Sequence, residues 1–338
     1  MTGSIQRLFC FFILSLLITS CATTPPRTAI ATHGALSVSG NQIVNQYGEA
    51  ASLAGPSLFW SNTGWRGERY YNKKVVRHIQ KEWNATIIRA AMGTEKNGGY
   101  EEDPQGNLER VERVIDAAIA NGIYVIVDWH AHHAEKNREA AVEFFEHIAK
   151  KYGSTPNVIY EIYNEPLADT DWSTVIKPYA EHVIAKIRAI DPDNLIVVGT
   201  QTWSQDVDKT AENPIQGFSN IAYALHFYAG THKQALRNKA KKALDAGIAL
   251  MVTEWGSVNA DGDGAIDKEE TALWLEFMRE HNLSHCSWAL NDKREGASML
   301  KPGTKPDGKW TDDDFTPAGL FIRDIVRNWN TPSHPGKN

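Results

Sequence analysis

Residues 107–130, NLERVERVIDAAIANGIYVIVDWH, contain one full period of the pattern that organises this chain. Leu108, Val111, Val114, Ile115, Ala118 and Ile119 recur at helical spacing on one face, with Asn107 placed to cap the start and Gly122 the end. The run that follows, 124–130, is apolar almost throughout, as a strand buried on both faces must be, yet it finishes on Asp128-Trp129-His130. A helix, a short turn and a buried strand form the repeating unit of a parallel sheet with helical crossovers.

The same unit recurs in both directions along the chain. Strands are expected at 52–58, 86–91, 124–130, 158–164, 195–200, 221–228, 250–254 and 284–290. Between them Val75, Ile79 and Trp83 keep helical spacing, as do Trp172, Val175, Tyr179, Val183 and Ile187, and then Leu273, Trp274, Phe277 and Met278. Eight alternations predict an α/β fold, a single (β/α)8 TIM barrel over 34–329. An N-terminal β-hairpin is expected where Ala35-Leu36-Ser37-Val38 and Gln42-Ile43-Val44-Asn45 flank Ser39-Gly40-Asn41, and it would plug the barrel floor. No second domain is read.

The ends carry a different signal. A lone Arg7 precedes an apolar stretch from Leu8 to Ile18, too short to span a bilayer, so 1–20 reads as a secretory signal. Ile18-Thr19-Ser20-Cys21 looks like a bacterial lipobox, with cleavage before Cys21 and lipidation of its thiol. The expectation is an exported protein, anchored at the bacterial cell envelope (outer membrane) through Cys21, and otherwise secreted. Residues 21–33 read as a flexible stalk and 330–338 as a disordered tail. With Cys10 in the signal and Cys21 lipidated, Cys286 has no partner, so no disulfide framework is expected.

Composition narrows the partner. A net charge of −6 argues against nucleic acid, and eleven tryptophans exceed what a core needs while suiting the apolar faces of sugar rings. Membrane contact is expected through the lipid anchor alone, and a monomer is expected.

In such barrels the active site is built where strands end. Here the predicted strands end in Arg89, in Asp128-Trp129-His130, in Asn164-Glu165-Pro166, in His226-Phe227-Tyr228, in Glu254-Trp255-Gly256 and in Trp288, all read as pointing into one bowl. Glu165 and Glu254, on the fourth and seventh strands, would face each other across its mouth. Two opposed carboxylates are what glycoside cleavage needs, one to donate a proton and one to attack.

Ile87-Ile88-Arg89-Ala90-Ala91-Met92, Val127-Asp128-Trp129-His130, Tyr160-Glu161-Ile162-Tyr163-Asn164-Glu165-Pro166, the run 199–207, Ala224-Leu225-His226-Phe227-Tyr228, Val252-Thr253-Glu254-Trp255-Gly256 and Ser287-Trp288-Ala289-Leu290 occur in this order. In that order they resemble glycoside hydrolase family 5, and within it the bacterial endoglucanase (cellulase) group, from about Gly34 to Trp329. The resemblance implies Glu165 as general acid/base, Glu254 as nucleophile, retention through a covalent glycosyl intermediate, and no metal or organic cofactor. It implies a β-1,4-glucan polysaccharide or oligosaccharide of cellulose type as substrate, cut internally.

Arg89 and Tyr228 would hold the nucleophile, Asn164 would contact the sugar 2-hydroxyl, and His130 and His226 would position substrate or carboxylates. For binding, Trp288 and Trp203 would stack sugars on either side of the cut, Lys293 and Glu295 would read hydroxyls, and Trp60 would be a further platform in a register left open. Gly93, where some relatives carry an aromatic residue, is expected to leave one distal subsite more open.

Two other readings stay open at this level. The same barrel and pair could act on mixed-linkage glucan, glucomannan or mannan through changed loops. A metal-dependent barrel hydrolase would use His130, His132 and His133, although such enzymes carry their His-x-His near the first strand and this cluster ends the third. Asp261-Gly262-Asp263-Gly264 has the look of a calcium loop but lacks an acid at the fifth position, so a turn-rich loop beside the site is expected.

Overall fold

The computed structural model describes residues 28–329. A hairpin of β1 (Ser37–Ser39) and β2 (Gln42–Val44) is followed by a closed parallel barrel. Its strands are β3 (Ala54–Leu58), β4 (Ile87–Gly93), β5 (Tyr124–His130), β6 (Val158–Glu161), β7 (Ile196–Val198), β8 (Ile221–Tyr228), β9 (Leu250–Gly256) and β10 (His285–Leu290), with β10 pairing back onto β3. The helices are α1 (Ala29–His33), α2 (Lys73–Trp83), α3 (Pro104–Asn121), α4 (Arg138–Tyr152), α5 (Lys177–Arg188), α6 (Val207–Glu212), α7 (Gln234–Asp245), α8 (Lys268–Glu280) and α9 (Pro317–Asn328), while Gln201–Ser204 form a tight left-handed turn. The expected (β/α)8 barrel is what the chain forms.

Strand parity builds two cores. Along β5, Tyr124 and Ile126 join the barrel interior, while Val125, Val127 and Trp129 pack outward against the helix layer. Ile87, Ile159, Val197, Ala222, Ala224, Met251 and Cys286 fill the same interior, and Leu36 and Ile43 of the hairpin region close it below, as the sequence anticipates. Continuing each inward face toward the C-terminal end of its strand puts Arg89, Asp128, His130, Glu161, His226 and Tyr228 above that plug. The polar residues that look out of place in apolar runs are therefore the top layers of one column.

At β9 the parity changes. Ala224 pairs with Met251 but His226 pairs with Glu254, so β9 advances three residues while β8 advances two. This bulge lets Thr253 and Glu254, neighbours in sequence, both face the site.

Several expectations need correction. The predicted stalk 21–33 is not unstructured at its end, because Ala29–His33 form α1, capped by the Thr28 hydroxyl accepting from Ala31 N–H. Ala29 is buried in the floor, and Ile30 N–H donates to Gly122 O at 3.0 Å. Asn107 does not cap α3, which starts three residues earlier with Pro104 in its first turn and Asp103 accepting from Gly106 N–H at 3.0 Å. Asn107 is instead buried, its Oδ1 accepting from Ser61 Oγ at 2.6 Å. Gly122 does end α3, at φ 64°.

β6 and β7 are shorter than expected because the chain leaves the ladder to feed the loops above, where Asn164 O accepts from Ser204 Oγ at 2.8 Å. Among the described residues no helix is long and apolar enough to cross a membrane. The signal, Cys21 and the tail after 329 lie outside the described residues.

Gly122 is where floor, helix end and N-terminal segment meet: a Cβ there would sit 2.5 Å from Thr28 Cβ, in a left-handed conformation that L residues avoid. Gly122→Ala is expected to lower stability by about 1–2 kcal/mol in urea unfolding, and Thr28→Gly in the same chain to restore part of the loss.

Candidate active site

The Arg89 guanidinium is the lowest polar group above the plug and is fully buried. It meets three carboxylates: Nε donates to Glu161 Oε2 at 2.7 Å, one terminal nitrogen to Glu254 Oε2 at 2.8 Å, and the other lies 2.9 Å from Asp128 Oδ2. That second nitrogen also donates to Asn164 Oδ1 at 2.6 Å. Burial alone would lower its basicity, but Asp128, Glu161 and Glu254 together hold it well above the usual arginine range. Only a planar fork with several donors serves so many acceptors without leaving water to help, so lysine would not substitute here.

His226 stands on the opposite wall. Burial opposes its charge, yet Glu161 and Glu165 raise its pKa to about 9, making it an imidazolium at neutral pH. Its Nδ1 donates to Glu165 Oε1 at 2.9 Å and its Nε2 to Thr253 Oγ1 at 2.8 Å. Thr253 donates onward to Glu161 Oε1 at 2.6 Å. A continuous chain of hydrogen bonds therefore runs from Glu165 through His226, Thr253, Glu161 and Arg89 to Glu254.

The two glutamates differ in setting. Glu254 is at the floor, accepting from Arg89 and from the Tyr228 hydroxyl at 2.7 Å, and burial with the neighbouring charge of Glu165 raises its pKa. Glu165 reaches into the open cleft. Burial would raise it, but His132, 3.4 Å away, and His226 outweigh that and bring it to about 2. His130 is kept neutral by burial, with Arg89 adding to the effect. Its Nδ1 is 2.6 Å from Asp128 Oδ2 and its ring stacks on Trp288 at 5.1 Å.

Two cavities of about 510 and 420 Å3 share Glu165, Glu254 and Tyr228, so one cleft passes over the carboxylate pair and extends to either side. Trp60, Trp65, Trp288, Lys293 and Glu295 line the first, with Lys293 and Glu295 ion-paired to each other. Trp203 lines the second and is 42% exposed. Thr202, Trp203 and Ser204 all have positive φ, 54–61°, a turn that non-glycine residues adopt only when pinned. The pins are Trp203 N–H to Pro166 O at 2.8 Å and the Ser204 hydroxyl to Asn164 O. Both run to the loop bearing Glu165, which fixes the indole relative to that carboxylate.

Residues 44–294, most of the barrel with all of these cleft residues except Glu295, match the family model described as cellulase (glycosyl hydrolase family 5). The chain belongs to glycoside hydrolase family 5. It is 56% identical over 295 residues to Endoglucanase Z of Dickeya dadantii (strain 3937), covering 87% of this chain and 66% of that protein. An endoglucanase of Clostridium saccharobutylicum is 41% identical over 334 residues, covering 96% of this chain and 73% of the relative. Among solved structures, the catalytic domain of Thermobifida fusca endoglucanase Cel5A (E5) superposes with a TM-score of 0.84 at 33% identity, over 89% of this chain and 100% of that one, and that domain has also been solved in complex with cellotetraose.

The structure gathers every sequence-named residue of this family 5 cleft: Glu165, Glu254, Arg89, His130, Asn164, His226, Tyr228, Trp60, Trp203, Trp288, Lys293 and Glu295. It separates three aromatics from them. Trp129, Phe227 and Trp255 do not enter the bowl, because strand parity turns them outward: Trp129 packs on Tyr100 and Phe144, and Phe227 stacks between Trp255 and Trp274. Gly93 does not open a subsite either. A Cβ there would fall 1.7 Å from Asn62 Oδ1 and 2.9 Å from the Trp60 ring, so the space is already filled by those side chains.

The imidazoles of 130, 132 and 133 do not form one ligand set, since each has its own acid, Asp128, Glu165 and Glu135 respectively. Among the described residues the group able to converge on an ion is Glu165, His226 and Glu254, which the hydrogen-bond chain already engages. The 261–264 loop is a turn-rich segment beside the cleft, as expected, with Asp263 Oδ1 accepting from Gly296 N–H at 2.9 Å.

Sequence reasoning missed Glu161, Thr253 and Trp65, and offered His132 only as a metal ligand where the structure sets it against Glu165. For Glu161 a signal was present: an acid sharing the inward parity of Ile159 within a fully buried strand must meet a cation. Removing its charge tests that coupling. Glu161→Ala is expected to cost about 3–5 kcal/mol of stability by leaving Arg89 short of a partner. Glu161→Gln should cost less and let His226 deprotonate below its present value of about 9, read by NMR titration of the imidazole.

Proposed function

We propose that this family 5 chain is a retaining endo-β-1,4-glucanase, with Glu165 as acid/base and Glu254 as nucleophile. The observation that carries the reading is a separation. One carboxylate oxygen of Glu165 and one of Glu254, together with a His226 nitrogen, lie within 4.8 Å of one another. Retaining pairs stand ~5–5.5 Å apart, whereas inverting pairs need ~6.5–9.5 Å to admit a water between them.

In the free cleft the mobile proton sits on His226, 2.9 Å from an ionised Glu165. A glucan laid across the cleft displaces water from Glu165 and weakens its charged form, so the proton crosses to the carboxylate and from there to the glycosidic oxygen. As the C1–O bond breaks, a Glu254 oxygen bonds to C1 and the leaving chain departs as an alcohol. Water then attacks C1, gives its proton to Glu165 and restores the Glu254 carboxylate. Arg89 and Tyr228 orient Glu254 and stay bonded to it as its charge passes to the sugar. Arg89 also occupies Asn164 Oδ1, which turns the amide so that its NH2 is the group offered to a sugar hydroxyl.

Aromatic faces on both sides of the pair, Trp60, Trp65 and Trp288 on one and Trp203 on the other, suit a chain that continues past the cut in both directions. The cellotetraose complex of the Thermobifida fusca relative supports a β-1,4-glucan there. We extend the proposal to export and lipid anchoring at Cys21, which rests on Ile18-Thr19-Ser20-Cys21; globomycin-sensitive processing in a bacterial host is the expected result.

A fluorosugar that traps the glycosyl intermediate is expected to label Glu254, located by peptide mapping, and Glu254→Ala to abolish hydrolysis of carboxymethyl cellulose. Label on another residue would sink the assignment. Shorter oligosaccharides from carboxymethyl cellulose than from glucomannan, xylan or barley mixed-linkage glucan at equal enzyme would support the cellulose preference, and the reverse order would move the substrate to that polymer.

The pH profile follows from His226. Its folded pKa is raised, so the proton it supplies is present below about 9 and lost as pH rises through that value. kcat/KM should fall on the alkaline side with a limb near pH 9, and His226→Gln should remove that limb and lower kcat by about 100-fold or more.

A further inference from the structure

On the outside of the barrel α2 and α3 pack side by side and leave a groove of about 1230 Å3 between them. At the cleft end, Pro306 closes it, its carbonyl accepting from Asn72 Nδ2 at 3.1 Å. Lys73, Lys74, Arg77 and Lys81 of α2 line one wall and Arg113 of α3 the other, all of them exposed. Residues 73, 77 and 81 are spaced by four and form a single stripe.

Arg113 Nε donates to Tyr71 O at 3.3 Å, but none of the five charges is neutralised inside the fold. The acid on the groove is Asp116, whose Oδ1 accepts from the Tyr152 hydroxyl, and nearby Glu112 is taken by His147 and Lys151. Among the described residues, no carboxylate stands within ion-pair distance of the five. Their placement also runs against helix stability. The first turn of α2 carries Lys73 and Lys74 and no acid, although the positive end of the helix dipole favours acids there. Dipole and side chains add, giving a strongly positive stripe on a chain of net charge −6.

The far end of the groove meets the start of the described chain. Asn121 lines it, and next to it Gly122 receives the Ile30 N–H and lies against Thr28. Only six residues lie between Cys21 and Thr28, seven Cα–Cα steps with a reach of at most ~25 Å. A lipid on Cys21 would hold this end of the barrel beside the membrane, close enough for the groove to lie on the headgroups.

We propose that the α2–α3 groove is a membrane-surface docking site that takes the phosphates of anionic phospholipids. For its nearness to the bilayer the proposal rests on the anchor read at Cys21. A basic patch beside a lipid anchor adds electrostatic attraction to an anionic surface. Helices in this fold run from the cleft end to the floor, so a barrel resting on α2 and α3 lies on its side. Its cleft then opens along the membrane, leaving both ends free for a polymer.

The test uses the chain from residue 21 onward with Cys21→Ser, which contains every element of the fold and no acyl group. It is sedimented with phosphatidylcholine vesicles, either pure or containing about one third phosphatidylglycerol. Binding to the anionic vesicles alone, weakened by salt, is expected. Changing Lys73, Arg77 and Arg113 together to Gln should lower it about 100-fold, from roughly fivefold per cation near such a surface. Hydrolysis of soluble carboxymethyl cellulose should be unchanged, since none of the three touches the cleft.

Equal binding by the triple variant, or equal binding to neutral vesicles, would overturn the proposal. Binding to an anionic polysaccharide but not to vesicles would overturn it in favour of a polymer partner. None of these readouts depends on catalysis, so their failure leaves the glucanase reading intact. Globomycin-insensitive processing would remove the anchored arrangement by itself.

Discussion

A guanidinium without water is the constraint from which the rest of the site follows. Arg89 sits at zero exposure with Asp128, Glu161 and Glu254 around it, and a charge so placed is tolerable only if every donor is used. Three strands, β5, β6 and β9, must then deliver carboxylates at the height of Arg89 on β4, and the loop after β6 must add Asn164. The plug below, closed by the hairpin and α1, keeps that height fixed by excluding solvent from beneath. The geometry of the cleft floor is thus a by-product of satisfying one buried cation.

Charge balance in the same region explains why two chemically identical side chains behave differently. Glu254 shares the arginine with two competitors and is mostly shut from water, while Glu165 has two imidazoles and an outlet to the cleft. His226 links the halves because it faces Glu165 on one side and, through Thr253, Glu161 on the other. A proton placed anywhere on this chain is felt along all of it, which low local polarity strengthens.

Much of this could be read from the sequence because parallel strands buried on both faces leave polar residues conspicuous. The eight strands and the strand-end residues Arg89, His130, His226, Tyr228 and Glu254 were legible for that reason, whereas Trp60, Trp203, Lys293 and Glu295 lie outside the strands and came from the family resemblance. What escaped was governed by geometry that composition does not carry. Trp129, Phe227 and Trp255 adjoin site residues in sequence, yet parity turns them to the helices. Gly93 looked like vacancy and is in fact a close approach for Asn62. Asn107 carried the chemistry of a cap, but Asp103 followed by Pro104 is the stronger start, and the amide went to Ser61 instead. Glu161 escapes notice because its partners, Arg89 and Thr253, come from strands distant in sequence.

The bulge in β9 has a consequence for how such a site can be inherited. Thr253 and Glu254 face the same way only because one strand holds an extra residue relative to its neighbour. In a straight strand one of them would turn into the helix layer, breaking either the link to His226 or the contact of Glu254 with Arg89 and Tyr228. Strand length here is therefore part of the site's specification, like a reading frame. A segment exchanged between barrels carries the chemistry across only if it brings the odd residue with it, and a single deletion in β9 would be as disabling as loss of a glutamate.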